Sequence, residues 1–133
     1  MSKKYIEVVG AIIENNQNQI LCALRSEKMS SSGFWEFPGG KVEKGESFSQ
    51  TIIREIKEEI NCEITTNQDI FNDITYEYDH IIVRLVTIKC QIINGQPFPN
   101  EHEKIIWTDK KDLLSLNWLA ADLSTIEKIM RFN

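Results

Sequence analysis

The sequence predicts an α/β fold, an α/β/α sandwich in which a mixed β-sheet carries one central helix and one C-terminal helix. Three observations predict it. Runs rich in β-branched and aromatic residues lie on both sides of residue 47, apolar residues recur with a helical period over residues 47–60, and a second such period closes the chain after residue 119. A chain of 133 residues suits one compact domain, residues 1–133, able to bury a core without disulfides.

Residues 5–14 and 19–25 are β-rich and flank Asn15, Asn16, Gln17 and Asn18, whose turn-forming character suggests a hairpin. Residues 30–33 read as loop, and residues 34–37 as a short aromatic strand that Pro38, Gly39 and Gly40 end. Over residues 47–60, Ser47 and Gln50 form a capping box, and Phe48, Ile52, Ile56 and Ile60 recur every fourth residue. Asn61 then stops the helix, because asparagine tolerates the left-handed conformation of a helix end. Strands are expected over residues 70–78 and 81–93, with Asn94-Gly95 as a turn, and over residues 104–108. Leu119, Leu123, Ile126 and Met130 mark an amphipathic C-terminal helix.

With 41% hydrophobic and 26% charged residues the composition is that of a soluble protein, and no apolar run is long enough for a membrane helix. Glu7 and Gly10 interrupt any apolar segment behind Met1, Ser2, Lys3 and Lys4, so no leader is expected and the cytoplasm is. A net charge of −5 argues against a duplex nucleic acid partner. It leaves a small anionic ligand open, since a metal ion supplies positive charge locally. Cys22, Cys62 and Cys90 are odd in number and form no C-x-x-C pair, so they read as reduced packing residues. Monomer and homodimer both stay open.

The chemistry sits on the central helix. Glu55, Glu58 and Glu59 stand at i, i+3 and i+4 and share one side of it, with Glu59 at the border of the apolar stripe. Like charges so close destabilise a helix unless a cation sits among them, and hard divalent ions prefer such oxygen ligands. Mg²⁺ is the expected cofactor, with Mn²⁺ as a substitute. Arg54, at i, i+4 from Glu58, can grip one carboxylate by two bonds. An E-x-x-E-E helix alone is usually a solvated face. The loop of residues 39–46 ahead of it changes that reading, because its glycines let a carbonyl such as that of Gly39 face the same ion.

Gly40, five residues, Glu46, seven residues, Arg54-Glu55-Ile56, one residue and Glu58-Glu59 together resemble the Nudix box, here residues 40–62. Asn61 departs from the family's usual glycine, and Cys62 from its usual bulky aliphatic residue. The stretch from Glu36 to Lys41, the spacing back to Arg25, and Glu101-His102-Glu103, Trp107 and Leu119 to Asp122 resemble the MutT branch and its bacterial CTP pyrophosphohydrolase relatives. The resemblance implies hydrolysis of a nucleoside triphosphate to the monophosphate and pyrophosphate. It makes Glu55, Glu58, Glu59 and the Gly39 carbonyl metal ligands, with Glu46 supporting Arg54 or a water of the metal shell. Glu101 matches a loop carboxylate that reaches the metal, a candidate general base with Glu103 as fallback; both also read as ordinary loop charges.

On the substrate side the resemblance puts Arg25 beside the nucleotide, with Glu36 and Lys41 flanking the box; Arg25 and Lys41 read equally as surface charges. Asp122 stands where the MutT type has an asparagine that reads the oxidised guanine edge. An ionised aspartate only accepts, which suits an exposed base amino group and favours cytosine, and Asp122 reads equally as a cap of the last helix. Phe34, Trp35 and Trp118 read as base-stacking or as packing residues, and His80 and His102 receive no role. The expected function is a MutT-like 8-oxo-dGTP diphosphatase sanitising the nucleotide pool. The alternatives are a (d)CTP or 5-methyl-dCTP pyrophosphohydrolase and, from another class, a non-catalytic nucleotide sensor, which would show a damaged box.

Overall fold

Both faces of the first strand, β1 (Lys4–Ile13), are apolar near its end: Val9, Ala11 and Ile13 face one core and Ile12 the other. A strand buried on both sides calls for a layer on each. The computed structural model describes residues 3–132; Met1, Ser2 and Asn133, which the leader and domain-boundary expectations include, lie outside the described residues. After β1 come β2 (Gln19–Leu24), β3 (Trp35–Glu36), β4 (Gly39–Lys41), α1 (Phe48–Ile60), β5 (Glu63–Thr66), β6 (Asn72–Glu77), β7 (Ile81–Asn94) and β8 (Lys104–Asp109). A 3₁₀ turn at Lys110–Ser115 and α2 (Ala120–Arg131) complete the described chain.

The larger sheet is mixed. β1 runs parallel to β7, from Lys4 opposite Ile81 to Ile13 opposite Cys90, while β4, β5 and β6 pair antiparallel. The long β7 offers one flank to β6 near its start and to β5 near its end. β3, β2 and β8 form a separate antiparallel sheet. α1 packs Ile52, Ile56 and Ile60 against Val9, Val86 and Ile88, and α2 packs Ile126 and Ile129 against Ile12, Leu24 and Trp118.

Several expectations are adjusted. The hairpin of the first two strands is reduced to one bridge between Glu14 and Ile20. Its turn is present, with Asn15 Oδ1 accepting from the N–H groups of Gln17 and Gln19 and Asn18 at φ 61°. Beyond it the strands part, because β1 pairs with β4 and β7 while β2 pairs with β3 and β8. Gly39 and Gly40 do not merely end a strand; with Lys41 they form β4, where a Cβ on Gly39 would overlap the Val9 carbonyl. β5 and the 3₁₀ turn are additions. In α2 the buried face is Ala121, Asp122, Thr125, Ile126 and Ile129, whereas Leu123 and Met130 are exposed and Leu119 is the N-cap. The helix therefore turns Ala121, Asp122 and Thr125 inward beside Ile126, as expected, and Ile129.

Cys22, Cys62 and Cys90 are free and buried, and burial pushes Cys22 and Cys90 up to about 12, so their thiols stay protonated at neutral pH. Among the described residues no helix is long and apolar enough to cross a membrane.

Both ends of α1 follow the sequence. The Ser47–Gln50 capping box is formed, and Asn61 closes the helix at φ 62°, ψ 35°. Asn61→Ala should cost about 1 kcal/mol, because alanine lacks the short polar side chain that lets asparagine hold left-handed backbone, while Asn61→Gly, with no Cβ at all, should stay within a few tenths. Urea denaturation with unchanged m-values measures both; an alanine variant as stable as the wild type would contradict the strained cap.

Candidate active site

The helical period that buries Ile52, Ile56 and Ile60 also buries Glu59, which is 7% exposed. Its Oε2 accepts the Gly39 N–H at 3.0 Å. Burial first, then the charges of Glu36, Glu55 and Glu101, push its carboxyl up to about 9. Glu55 is raised as well, by burial working against the pull of Arg54. Glu58, by contrast, is exposed.

Arg54 organises the opposite side. Its Nε and Nη2 grip both oxygens of Glu46 at 2.7 and 2.9 Å, and Nη1 donates to Glu55 at 2.7 Å. Glu58 is only an ion-pair neighbour at 3.6 Å, so the two-bond grip expected on Glu58 belongs to Glu46 instead. The reason is local: the Glu43 N–H and the Thr51 hydroxyl already orient Glu46 towards the guanidinium fork. Arg54's hydrogen bonds hold Glu46 down to about 2. Glu55 also depends on Gly40, where a Cβ would overlap its carboxylate.

A divalent cation fits this donor set. Glu59 is a nearly dry carboxyl surrounded by three like charges, and hard oxygen donors crowded in this way are relieved by a small hard cation. Among the described residues no three acidic, histidine or cysteine side chains are already gathered as a cage, since Glu55 and Glu58 turn towards Arg54. The chain crosses between sheets just here, with Glu36 in the small one and Gly39 in the large one.

Glu36 is the hinge of the arrangement. Its Oε1 accepts from Arg25 at 2.8 Å, and its Oε2 lies 2.8 Å from His102 Nε2. Arg25 is fixed from behind by the Ser30 carbonyl at 2.6 Å and the Ser30 hydroxyl at 3.1 Å. The charge of Glu36 is felt on one side by Glu59 and on the other by Asp122. Asp122 is 4% exposed in the first turn of α2, and burial raises its carboxyl well above the ordinary range although the Phe37 N–H donates to it. Leu119 is the N-cap, so the capping role open to Asp122 is not the one it plays.

A cavity of about 520 Å³ opens beside these groups, lined among others by Arg25, Glu36, Phe37, Tyr78, Leu85 and Asp122. Apolar walls with a few convergent polar groups are what a ligand pocket needs. Trp35 and Trp118 are buried core residues, 5.2 Å separating the Trp118 and Phe37 rings, and Phe34 and Lys41 are exposed and outside the lining. A second cavity, about 710 Å³, is formed by residues 26–29 and 100–103 and includes the exposed Glu101. Asn100, Tyr78, Phe37 and His102 went unassigned in the sequence; nothing but the position of Asn100 and His102 beside Glu101 could have singled them out.

Residues 4–129 match the NUDIX domain family. The chain belongs to the Nudix hydrolase family. This Nudix hydrolase is similar to the CTP pyrophosphohydrolase of Escherichia coli K12, at 34% identity over 127 residues, 96% of this chain and 93% of that protein. It is also 29% identical to the 8-oxo-dGTP diphosphatase of Haemophilus influenzae Rd, over 98% of this chain and 95% of that one. The solution structure of the DNA mismatch repair protein MutT of methicillin-resistant Staphylococcus aureus 252 superposes with a TM-score of 0.79 at 48% identity, covering 99% of this chain and 100% of that one. Nudix hydrolases use divalent metals such as Mg²⁺.

A raised carboxyl makes the folded state bind more protons than the unfolded one, so stability falls as pH rises above the unfolded aspartate pKa of about 3.9. Asp122→Asn should accordingly be more stable than the wild type at pH 7, with the advantage fading towards pH 4. Denaturation midpoints at the two pH values check this, and an advantage independent of pH would contradict the assigned burial cost.

Proposed function

We propose that this Nudix hydrolase is a nucleoside triphosphate pyrophosphohydrolase of the MutT kind, with 8-oxo-dGTP as its preferred substrate. The observation that carries the reading is the place of Glu36, between the carboxylates of α1 and the pocket that holds Asp122. A nucleotide whose phosphates lie on the α1 cluster has its base in that pocket.

Glu55, Glu58 and Glu59 are the residues to hold Mg²⁺, or Mn²⁺ in its stead, with the Gly39 carbonyl and Glu101 completing the donor set. The ion supplies positive charge to the phosphate oxygens and acidifies water at the reacting phosphorus. Arg54, locked by Glu46, sets the rotamer of Glu55, and Glu101 accepts the proton of the attacking water. Arg25 and Glu36 frame the nucleotide, and Lys41 adds positive charge at the rim.

The base preference rests on burial favouring the protonated form of Asp122. A buried carboxyl that keeps its proton offers one donor beside one acceptor, not the acceptors alone of an ionised aspartate. That pair complements the N7–H and O6 of 8-oxoguanine. It also complements the N3 and amino group of cytosine, and the name of the E. coli relative favours cytosine nucleotides as the second reading.

Hydrolysis of 8-oxo-dGTP, dGTP, CTP, dCTP and 5-methyl-dCTP with Mg²⁺, followed by monophosphate and pyrophosphate release, decides between them. Specificity for 8-oxo-dGTP at least about tenfold over dGTP is expected, the discrimination of one or two well-placed hydrogen bonds. Glu58→Gln should lower kcat roughly 100-fold with an unchanged unfolding midpoint, the scale of removing one charge-stabilising group. A leading cytosine nucleotide would replace the first reading by the second. Tight nucleotide binding without turnover would favour a sensor, and an undiminished Glu58→Gln rate would remove the metal assignment.

A further inference from the structure

Glu101 stands between two residues fastened to different parts of the site. On one side Asn100 is tied to the end of α1, its N–H donating to the Glu59 carbonyl at 3.0 Å and its side-chain amide to the Glu58 carbonyl at 2.7 Å. On the other side His102 reaches Glu36, whose second oxygen holds Arg25. The Glu103 N–H then closes the loop onto β2 through the Leu24 carbonyl at 2.9 Å.

The His102 side chain is fully buried, and among the described residues its Nδ1 has no hydrogen-bond partner. A buried polar atom left unpaired costs free energy, and an apolar ring would fill the same space without that cost. What the imidazole adds is the single bond from Nε2 to Glu36. Because the carboxylate accepts, Nε2 carries the hydrogen.

We infer that His102 is a positioning residue that couples base recognition to catalysis, fixing the Glu101 loop to the base pocket through Glu36. The inference rests on the reading above, in which the pocket takes the base and Glu101 serves the phosphates. Among the described residues the Glu101 side chain makes no hydrogen bond or ion pair to α1 or the pocket, so its neighbours set its place. A base that shifts Glu36 or Arg25 is transmitted along one hydrogen bond to the backbone beside Glu101. A displacement near 1 Å at such a group costs on the order of 100-fold in rate.

Two variants of the holoenzyme test this. His102→Gln places an amide N–H near Nε2 and keeps the bond to Glu36, whereas His102→Asn, with its amide near Nδ1, is too short to reach it. For the best triphosphate of the panel, His102→Asn should lower kcat roughly 10- to 100-fold, the value of a lost charge-assisted bond plus misplacement. It should also narrow the kcat/KM ratio between the best and poorest base, while His102→Gln restores kcat and ratio to within about threefold of wild type. Equal losses for all bases in both variants, tracking the unfolding midpoint, would mean a purely structural role and overturn the inference; so would two variants indistinguishable from wild type. Should the wild type hydrolyse nothing in the panel, the triphosphate reading fails by itself. The link is then read from the His102 side-chain ¹⁵N shifts with and without Glu36→Gln: a displaced Nε2 resonance sustains it, and coincident spectra overturn it.

Discussion

Carboxyl groups repel one another across the seam between the two sheets, and the rest of the site is arranged around that repulsion. Glu36, Glu55, Glu59 and Asp122 are gathered where water is scarce, and Glu101 adds its charge from a loop. Burial alone would drive the most enclosed of them to hold protons. Arg54 and Arg25 offset part of the charge, each gripping a carboxylate at the margin of the cluster. Among the described residues the Glu59 side chain receives only the Gly39 backbone N–H, so a small divalent cation bound there would relieve the most repulsion.

The scaffold makes the crowding possible by bringing distant segments to one crossing. β3 belongs to the small sheet and β4 to the large one, so Phe37 and Pro38 carry the chain over the seam, with Ala11 N–H bonded to the Pro38 carbonyl at 2.8 Å. Two glycines follow because neither place admits a side chain: one lies against the Val9 backbone and the other against the Glu55 carboxylate. The end of α1 is equally constrained. Its last carbonyls accept from Phe98 and Asn100, which ties the loop bearing Glu101 to the helix bearing the other carboxylates. Stability and site geometry thus share the same bonds, and loosening the helix end moves Glu101.

What the sequence reveals is what is local and periodic. The place of Glu59 at the border of the apolar stripe is legible because 100° per residue puts it between the rows of Phe48 and Ile52, and the Asn61 stop is legible because few residues adopt left-handed backbone. The Glu46–Arg54 clamp is half legible: both residues are visible, but which carboxylate the guanidinium grips depends on how the loop folds back. The α2 face misleads, since counting apolar residues selects Leu123 and Met130, while the fold turns Asp122 and Thr125 inward to meet the pocket and β6. Division into two sheets is a matter of remote pairing, and the His102–Glu36 bond joins residues 66 positions apart. No period or spacing records such contacts.

The central claim is that one cation site on α1 and one base pocket meet at Glu36. Backbone ¹H–¹⁵N spectra during Mn²⁺ titration test it most directly, because the paramagnetic ion broadens only nearby amides. Broadening is expected first at Gly39, Gly40, Glu55, Glu58, Glu59 and Glu101, with Ala121 and Asp122 shifting only when nucleotide is added. Broadening spread evenly over the acidic surface, or centred on Glu7 and Asp73 beside Arg84, would contradict it.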